Sequence, residues 1–596
     1  MKKIVILAVA ILVIAGVVVL YHSFEGGVTH ENVGYTFSRD WLNKNNIYVF
    51  GTPPLDYLSA VNATGATWAL YGQNYVDNLH NNGFKVCSGP GMISALVTDN
   101  QSLRESAHCM DINGNPAYWS SGVYSMCHNN PAWQELLKDK IEEHVDVGVD
   151  VIHIDETGAV GDLSSSGFCD YCMVGFRSYL AQRYSAVELR DNFGIDNIDS
   201  FNYRTYLQSN GAQSAWGDPN QSLLAAYFRF QYSSKSALIQ ELIQHAREYA
   251  GRDILFSANT YRLFVDHQIY VSYLDFAVFE LPMGPLPEGK HFMTYLLGEA
   301  MAPSKPFVAF PGPDDWASLS QEDWWLWRHW VAEAYACGGS FLLPYEAYAY
   351  GEERYTLPAD KISPYTNFIS THSSYYENVS RVAKVSVLFD FRSNFNGWAP
   401  ATAWQAWDNI GDICRALQEA HISFEIVYVG DNEFIDKPIS LSDLEKYSIV
   451  VVPSYYQLAA TTTDLLNQYT SMGGKIMWSD NIPNGSDLIA EITGAGVDLG
   501  LETNASRDLS IMVYERENSL FVHLINYSYD NSAHDFTPQT QIEITLTIPA
   551  NVNLTGKTLR LLSPDTDETT LEYTVQNDKV TFTVPSVHEY SIASFE

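Results

Sequence analysis

Gly148-Val149-Asp150-Val151-Ile152-His153-Ile154-Asp155-Glu156 is a short β-branched run that ends in two acids. A helical pattern over 132–145 leads into it and a long helical pattern over 223–250 follows, which is the signature of a β-α-β unit. Working outward, similar runs stand at 47–50, 67–71, 84–87, 254–258, 276–280, 307–310 and 340–344, with further helical patterns at 291–301 and 321–337. Eight strands alternating with helices predict a closed parallel (β/α)8 TIM barrel, an α/β fold, interrupted by an insertion over 157–222.

The barrel is assigned to residues 45–380. Residues 381–503 carry parallel-strand runs at 383–391, 424–429, 449–453 and 475–478, with helices at 403–420 and 463–472, and predict a small flavodoxin-like doubly wound domain. From 504 to 596 the texture becomes alternating strands between Asn, Asp, Gly and Pro, which predicts an antiparallel β-sandwich. Residues 1–21 read as a signal anchor or export peptide: Lys2 and Lys3 precede an unbroken apolar run from Ile4 to Leu20, and 22–44 read as a linker. Either reading places the rest of the chain outside the cytoplasmic membrane. Sequons at Asn62, Asn100, Asn220, Asn378, Asn484, Asn504, Asn526 and Asn553 fit a glycosylated surface.

Lys plus Arg number 34 against 70 Asp plus Glu, so the formal charge of −36 repels a polyphosphate and excludes nucleic acid as the expected partner. Aromatic residues make up 13% of the chain, enough to supply flat apolar platforms for sugar rings as well as a large core. Carbohydrate is the expected ligand.

In such a barrel ligands meet the C-terminal ends of the strands. Those ends offer Asp155 and Glu156, Glu280, Asp314 and Asp315 beside Trp316, and Glu346 beside Tyr345. Glycosidic cleavage needs two carboxyl groups, one protonated to release the leaving oxygen and one ionised to attack carbon or activate water. Strand parity points His153 and Asp155 into the barrel, with Glu156 at the start of the loop. Tyr71, Tyr261, Trp316, Tyr345 and Tyr348 are candidate sugar platforms, while His153, Asn259, Arg262 and Asp315 are candidate hydroxyl-binding groups. No cofactor is required. Cys169 and Cys172 in the insertion, with Cys127 upstream, form a partial ligand set for a structural zinc, and a disulfide is the competing reading.

The stretch Met126-Cys127-His128-Asn129-Asn130-Pro131, the strand ending in Asp155-Glu156, and Phe168-Cys169-Asp170-Tyr171-Cys172 followed by Phe176-Arg177 resemble the barrel of family 42 glycoside hydrolases, the β-galactosidase type. The order of barrel, amidotransferase-like trimerisation domain and β-sandwich agrees with that family. The resemblance implies a retaining glycosidase with Glu156 as acid/base and Glu280, or else Glu346, as nucleophile, and a trimer. Asp155 stands where the family has Asn, which leaves open the arrangement of α-glycosidase clans, with an Asp on strand four as nucleophile and a strand-six carboxylate as acid. Gly167 occupies the place of one zinc cysteine. The elbow Val452-Pro453-Ser454-Tyr455-Tyr456 has no Cys, so the middle domain resembles the inactive amidotransferase form. The alternative function is a carbohydrate-binding or cell-envelope protein that keeps the barrel without its chemistry.

Overall fold

The computed structural model describes residues 37–68, 72–96, 101–120, 122–155, 167–211, 222–284, 291–347, 353–396, 400–453, 458–479 and 485–596. The apolar run 4–20, Tyr71, Glu156 and Tyr348 lie outside them. No helix of the described residues is long and apolar enough to cross a membrane.

Eight parallel strands close the barrel in sequential order: Ile47–Phe50, Gly65–Thr67, Lys85–Met92, Val151–Asp155, Leu255–Asn259, Phe276–Leu281, Phe307–Pro311 and Ser340–Leu343. They are called strands one to eight below. Strand eight pairs back on strand one through Ile47 and Phe341, so no barrel strand is left with an open edge. The decisive strand, Val151–Asp155, pairs on one side with strand five, His153 opposite Ser257, and on the other with strand three. There the register slips between Ser88 and Gly91, and a Cβ on Gly89 would sit 2.0 Å from the carbonyl oxygen of His153. Only glycine allows that approach.

The helix leading into strand four, Pro131–Asp146, shows why the pattern was readable. Asn130 caps it by accepting the Ala132 N–H at 2.9 Å, Pro131 sits where its missing N–H costs nothing, and Trp133, Leu137, Ile141 and Val145 bury one face. The segment after strand four returns as three helices, Asp170–Arg183, Ala186–Phe193 and Tyr203–Ser209, around a separate core of Phe168, Phe176, Tyr203 and Tyr227.

The middle domain is a four-stranded parallel sheet, ordered Phe424–Val429, Val385–Asp390, Ile449–Val452, Lys475–Trp478. The sandwich has a six-stranded and a four-stranded antiparallel sheet. It borrows from both sides of the middle domain: Ser380–Arg381 pairs with Leu509–Arg516, and Leu501–Thr503 pairs with Gln539–Thr547. The middle domain is therefore an insertion between strands of the sandwich. Of the expected glycan acceptors, Asn526 is fully buried and its amide donates to the carbonyls of Thr537 and His588, so the sandwich core leaves it no room for a sugar.

Candidate active site

Two carboxylates stand at the mouth, near enough for one to feel the charge of the other. Asp155 ends strand four and Glu280 stands near the end of strand six, in register with Phe310 of strand seven. The surrounding protein strips solvent from the Glu280 carboxyl and pushes its pKa up to about 7; the nearby charge of Asp155 pushes the same way, while the Asn259 amide and His267 oppose it. Asn259, at the end of strand five, donates from Nδ2 to Glu280 Oε2 at 2.8 Å and accepts the Tyr261 N–H at 2.9 Å.

Beneath the carboxylates lies His153, which parity had pointed inward. Its Nδ1 meets Ser257 Oγ at 2.8 Å, and its ring stands edge-on to Trp68 at 4.2 Å. Burial holds its pKa down at about 3, so the imidazole is neutral, and Nε2, shut away from solvent, has no hydrogen-bond partner among the described residues. At 2% exposure the ring belongs to the floor of the barrel interior, and its nitrogen does not face the mouth.

Strain collects around this rim. Trp68, Tyr261 and Glu346 all take left-handed backbone, with φ of 51°, 44° and 48°, at the ends of strands two, five and eight. Bulky residues adopt that region only where their surroundings force it, and such positions cluster at functional sites. Trp68 carries no signal in the sequence pattern beyond lying in an apolar run; its half-buried indole packs with Phe50 and Phe310 and forms the aromatic wall beside His153.

Other expected residues fall elsewhere. Trp316 is 1% exposed and packs on Phe50 and Phe310, so it is a core residue below the rim and offers no face to a sugar. Asp315 is spent on backbone: its oxygens accept the N–H groups of Met283, Gly284 and Gly312 at 2.8, 2.7 and 2.9 Å, which ties the loop after strand six to the loop after strand seven. Glu346 is exposed and lines, with Tyr345, Asp56 and Tyr75, a shallow depression of about 680 Å³ on the side of strands one and eight. Tyr345 rests edge-on against Tyr57 there. Arg262 follows Tyr261 in the strand-five turn; its Nε is buried and has no hydrogen-bond partner among the described residues.

The sulfur cluster is more complete than the sequence suggested. Sγ of Cys127, Cys169 and Cys172 lie 3.1 to 3.6 Å apart, and Cys109 brings a fourth, all four within 4.8 Å of one another and buried. No S–S bond joins any of the seven cysteines in the structure, and the four sulfurs stand as a group and not as pairs. Gly167, standing where a cysteine was missed, donates its N–H to Cys109 Sγ at 2.9 Å. Four thiolates around a zinc at about 2.3 Å would be about 3.8 Å apart, so the set fits a closed tetrahedral site. It would join the segment after strand three, which carries Cys109 and Cys127, to the one after strand four.

No protein-family model matches the chain. Its fold, however, has close counterparts among solved structures: the β-galactosidase of Bacillus circulans sp. alkalophilus superposes with a TM-score of 0.66 at 12% identity, covering 93% of this chain and 99% of that one. A family 42 β-galactosidase of G. stearothermophilus, Gan42B, gives 0.63 at 10% identity over 93% of this chain and 99% of that one. The chain has the fold of a family 42 β-galactosidase. The same three-domain fold extends to α-L-fucosidase isoenzyme 2 of Paenibacillus thiaminolyticus, with a TM-score of 0.63 at 12% identity, covering 93% of this chain and all of that one. In sequence, two α-agarases are similar, those of Thalassotalea agarivorans and Alteromonas agarilytica, each 24% identical, over 477 and 471 residues. The matches take in 76% and 71% of this chain but 31% and 32% of the agarases, so the chain spans about a third of the length of these relatives.

Proposed function

We propose that the chain is a glycoside hydrolase that cleaves O-glycosidic bonds of a galactose-containing polysaccharide outside the cell, with Glu280 as the acid and Asp155 as its ionised partner. The observation that carries this is the Glu280 carboxyl, raised to about 7 beside Asp155 at the barrel mouth. A group with that pKa is substantially protonated at neutral pH and can hand its proton to a leaving oxygen, whereas a nucleophile must be ionised. This favours the α-glycosidase-like arrangement and reverses the roles that simple carry-over from family 42 would give. Asp155 then attacks the anomeric carbon or activates water, and the half-buried Trp68 offers the sugar an aromatic face. The substrate class is supported by the α-agarases in sequence and by the galactosidases in fold.

Cys109, Cys127, Cys169 and Cys172 belong to the same reading as ligands of a structural zinc, which would supply folding energy and tie the segment carrying Cys109 and Cys127 to the start of the helix at Asp170. No catalytic step passes through it.

The test is hydrolysis of agarose and a panel of aryl α- and β-galactosides by the parent chain and by Glu280→Gln. Cleavage by the parent with loss in the variant is expected. Unchanged turnover in the variant removes Glu280 from the mechanism, and binding of polysaccharide without cleavage by the parent favours the non-catalytic alternative.

A further inference from the structure

The mouth of the barrel is not held by the barrel alone. Gln268, 1% exposed, lies just beyond the strand-five turn, and both ends of its amide are used. Its Nε2 donates to the Leu263 carbonyl at 2.9 Å, and its Oε1 accepts the hydroxyl proton of Tyr428 at 2.8 Å. Tyr428 belongs to the middle domain, on strand Phe424–Val429, where its buried ring stacks on Phe389 at 5.3 Å and 8°.

From Leu263 the contacts run straight to the carboxylate. The Leu263 N–H closes the turn on the Thr260 carbonyl at 2.9 Å, and Thr260 gives both its N–H and its hydroxyl to the Val278 carbonyl, on the strand that carries Glu280. The Tyr261 N–H bonds to Asn259 Oδ1, and Asn259 Nδ2 bonds to Glu280 Oε2. Tyr261 and Leu263 are both left-handed, with φ of 44° and 57°. Two such residues in one turn persist only where surrounding bonds over-determine them. The middle domain supplies part of that constraint, through Tyr428 and through Trp407, whose ring meets Phe264 edge-on at 5.1 Å.

We propose that Tyr428 is a positioning residue for the Glu280 carboxyl: by fixing Gln268 it fixes the turn whose asparagine holds the acid. The proposal rests on Glu280 being the acid of the reaction above. It gives the middle domain, which has no chemistry of its own in that reaction, a direct part in it.

The experiment compares the full chain with Tyr428→Phe, which keeps the ring and removes the hydroxyl, and with Gln268→Met, which removes both amide bonds at similar volume. Tyr469→Phe serves as control, since Tyr469 is a buried tyrosine of the same domain whose hydroxyl bonds to the Tyr447 carbonyl. Two readouts are taken: kcat and KM on agarose oligosaccharides, and amide hydrogen exchange over 260–268. Misplaced catalytic groups cost rate at constant ground-state binding, so Tyr428→Phe should lower kcat about three- to tenfold with KM held within about twofold, and Gln268→Met should lower it further. Exchange over 260–268 should quicken in both and stay at the parent rate in the control. Parent-like kcat and exchange in Tyr428→Phe overturn the proposal, as does a change that Tyr469→Phe reproduces. Should the parent cleave no substrate, the reading of Glu280 as the acid fails, and exchange by itself decides whether Tyr428 holds the turn.

Discussion

Glu280, on strand six, and Asp315, just beyond strand seven, are two carboxylates at neighbouring places on the barrel, and the fold uses them in opposite ways. Asp315 accepts three backbone N–H groups and is 5% exposed; its charge is consumed in joining two loops. Among the described residues Glu280 accepts one hydrogen bond, from Asn259, and it stays partly open to the mouth with its proton affinity raised. A carboxylate saturated by N–H donors is a structural anchor, while one starved of them beside another acid is poised for proton transfer. The number of donors each oxygen meets separates the two roles where position along the strand could not.

That contrast breaks most sharply by removing the charge on each side. Glu280→Gln and Asp155→Asn should each lower kcat by about 10²–10⁴, as loss of an acid or of its partner does, with the melting temperature of each at or above that of the parent. Asp315→Ala should do the reverse. Three N–H groups lose their acceptor, and at roughly 1 kcal/mol or more each the loss is about 3 kcal/mol of stability, read as a fall in melting temperature, while kcat falls less than tenfold. Equal effects of the two substitutions on turnover would erase the distinction.

A smaller effect is expected one loop away. Cys109→Ser should remove one of four sulfur ligands, lower bound zinc from about one per chain toward zero by atomic emission, and lower the melting temperature without changing KM. Retention of stoichiometric zinc in that variant would show that Cys109 is not a ligand.

Much of this architecture was legible because local signals agreed. Seven of the barrel strands were marked by apolar or β-branched runs between helical periods, and the helix before strand four carried its cap, its proline and its apolar stripe in plain sequence; strand two, expected over 67–71, is Gly65–Thr67, because its small residues carry no strand signal and the apolar run lies beyond its end. Asp155 and Glu280 could be singled out because strand ends are where such a barrel places ligands. What was not legible depends on contacts between distant segments. Cys109 joins its cluster by tertiary folding and has no spacing motif with Cys127; Trp316 and Asp315 stand in a rim loop that folds back into the core; Trp68 gains its place from a left-handed turn that no composition rule marks. Asn259 was readable as a polar rim residue, but not as the partner of Glu280, because that pairing needs the strand-five turn closed by Gln268 and, beyond it, by Tyr428 of another domain.

The subtlest expected effect lies in the pH dependence, and its sign follows from the direction of the Glu280 shift. Its pKa rises from about 4.5 in an unstructured chain to about 7 in the fold, so the folded state binds a proton that the unfolded state releases between those values. The stability contributed by the neutral carboxyl is fully present below about pH 4.5 and is lost as pH rises through 7. The shift corresponds to about 3 kcal/mol at 1.36 kcal/mol per pH unit, and partial exposure at the mouth reduces this to roughly 1–2 kcal/mol. Glu280→Gln carries no such proton and should therefore gain on the parent by that amount between pH 5 and pH 9 in denaturant unfolding, while parental kcat declines over the same upper limb as the acid loses its proton. A parent and variant whose stabilities run parallel across that range would mean that Glu280 is an ordinary surface acid, no different in kind from the exposed Glu346, and the contrast with Asp315 would no longer mark a reactive group.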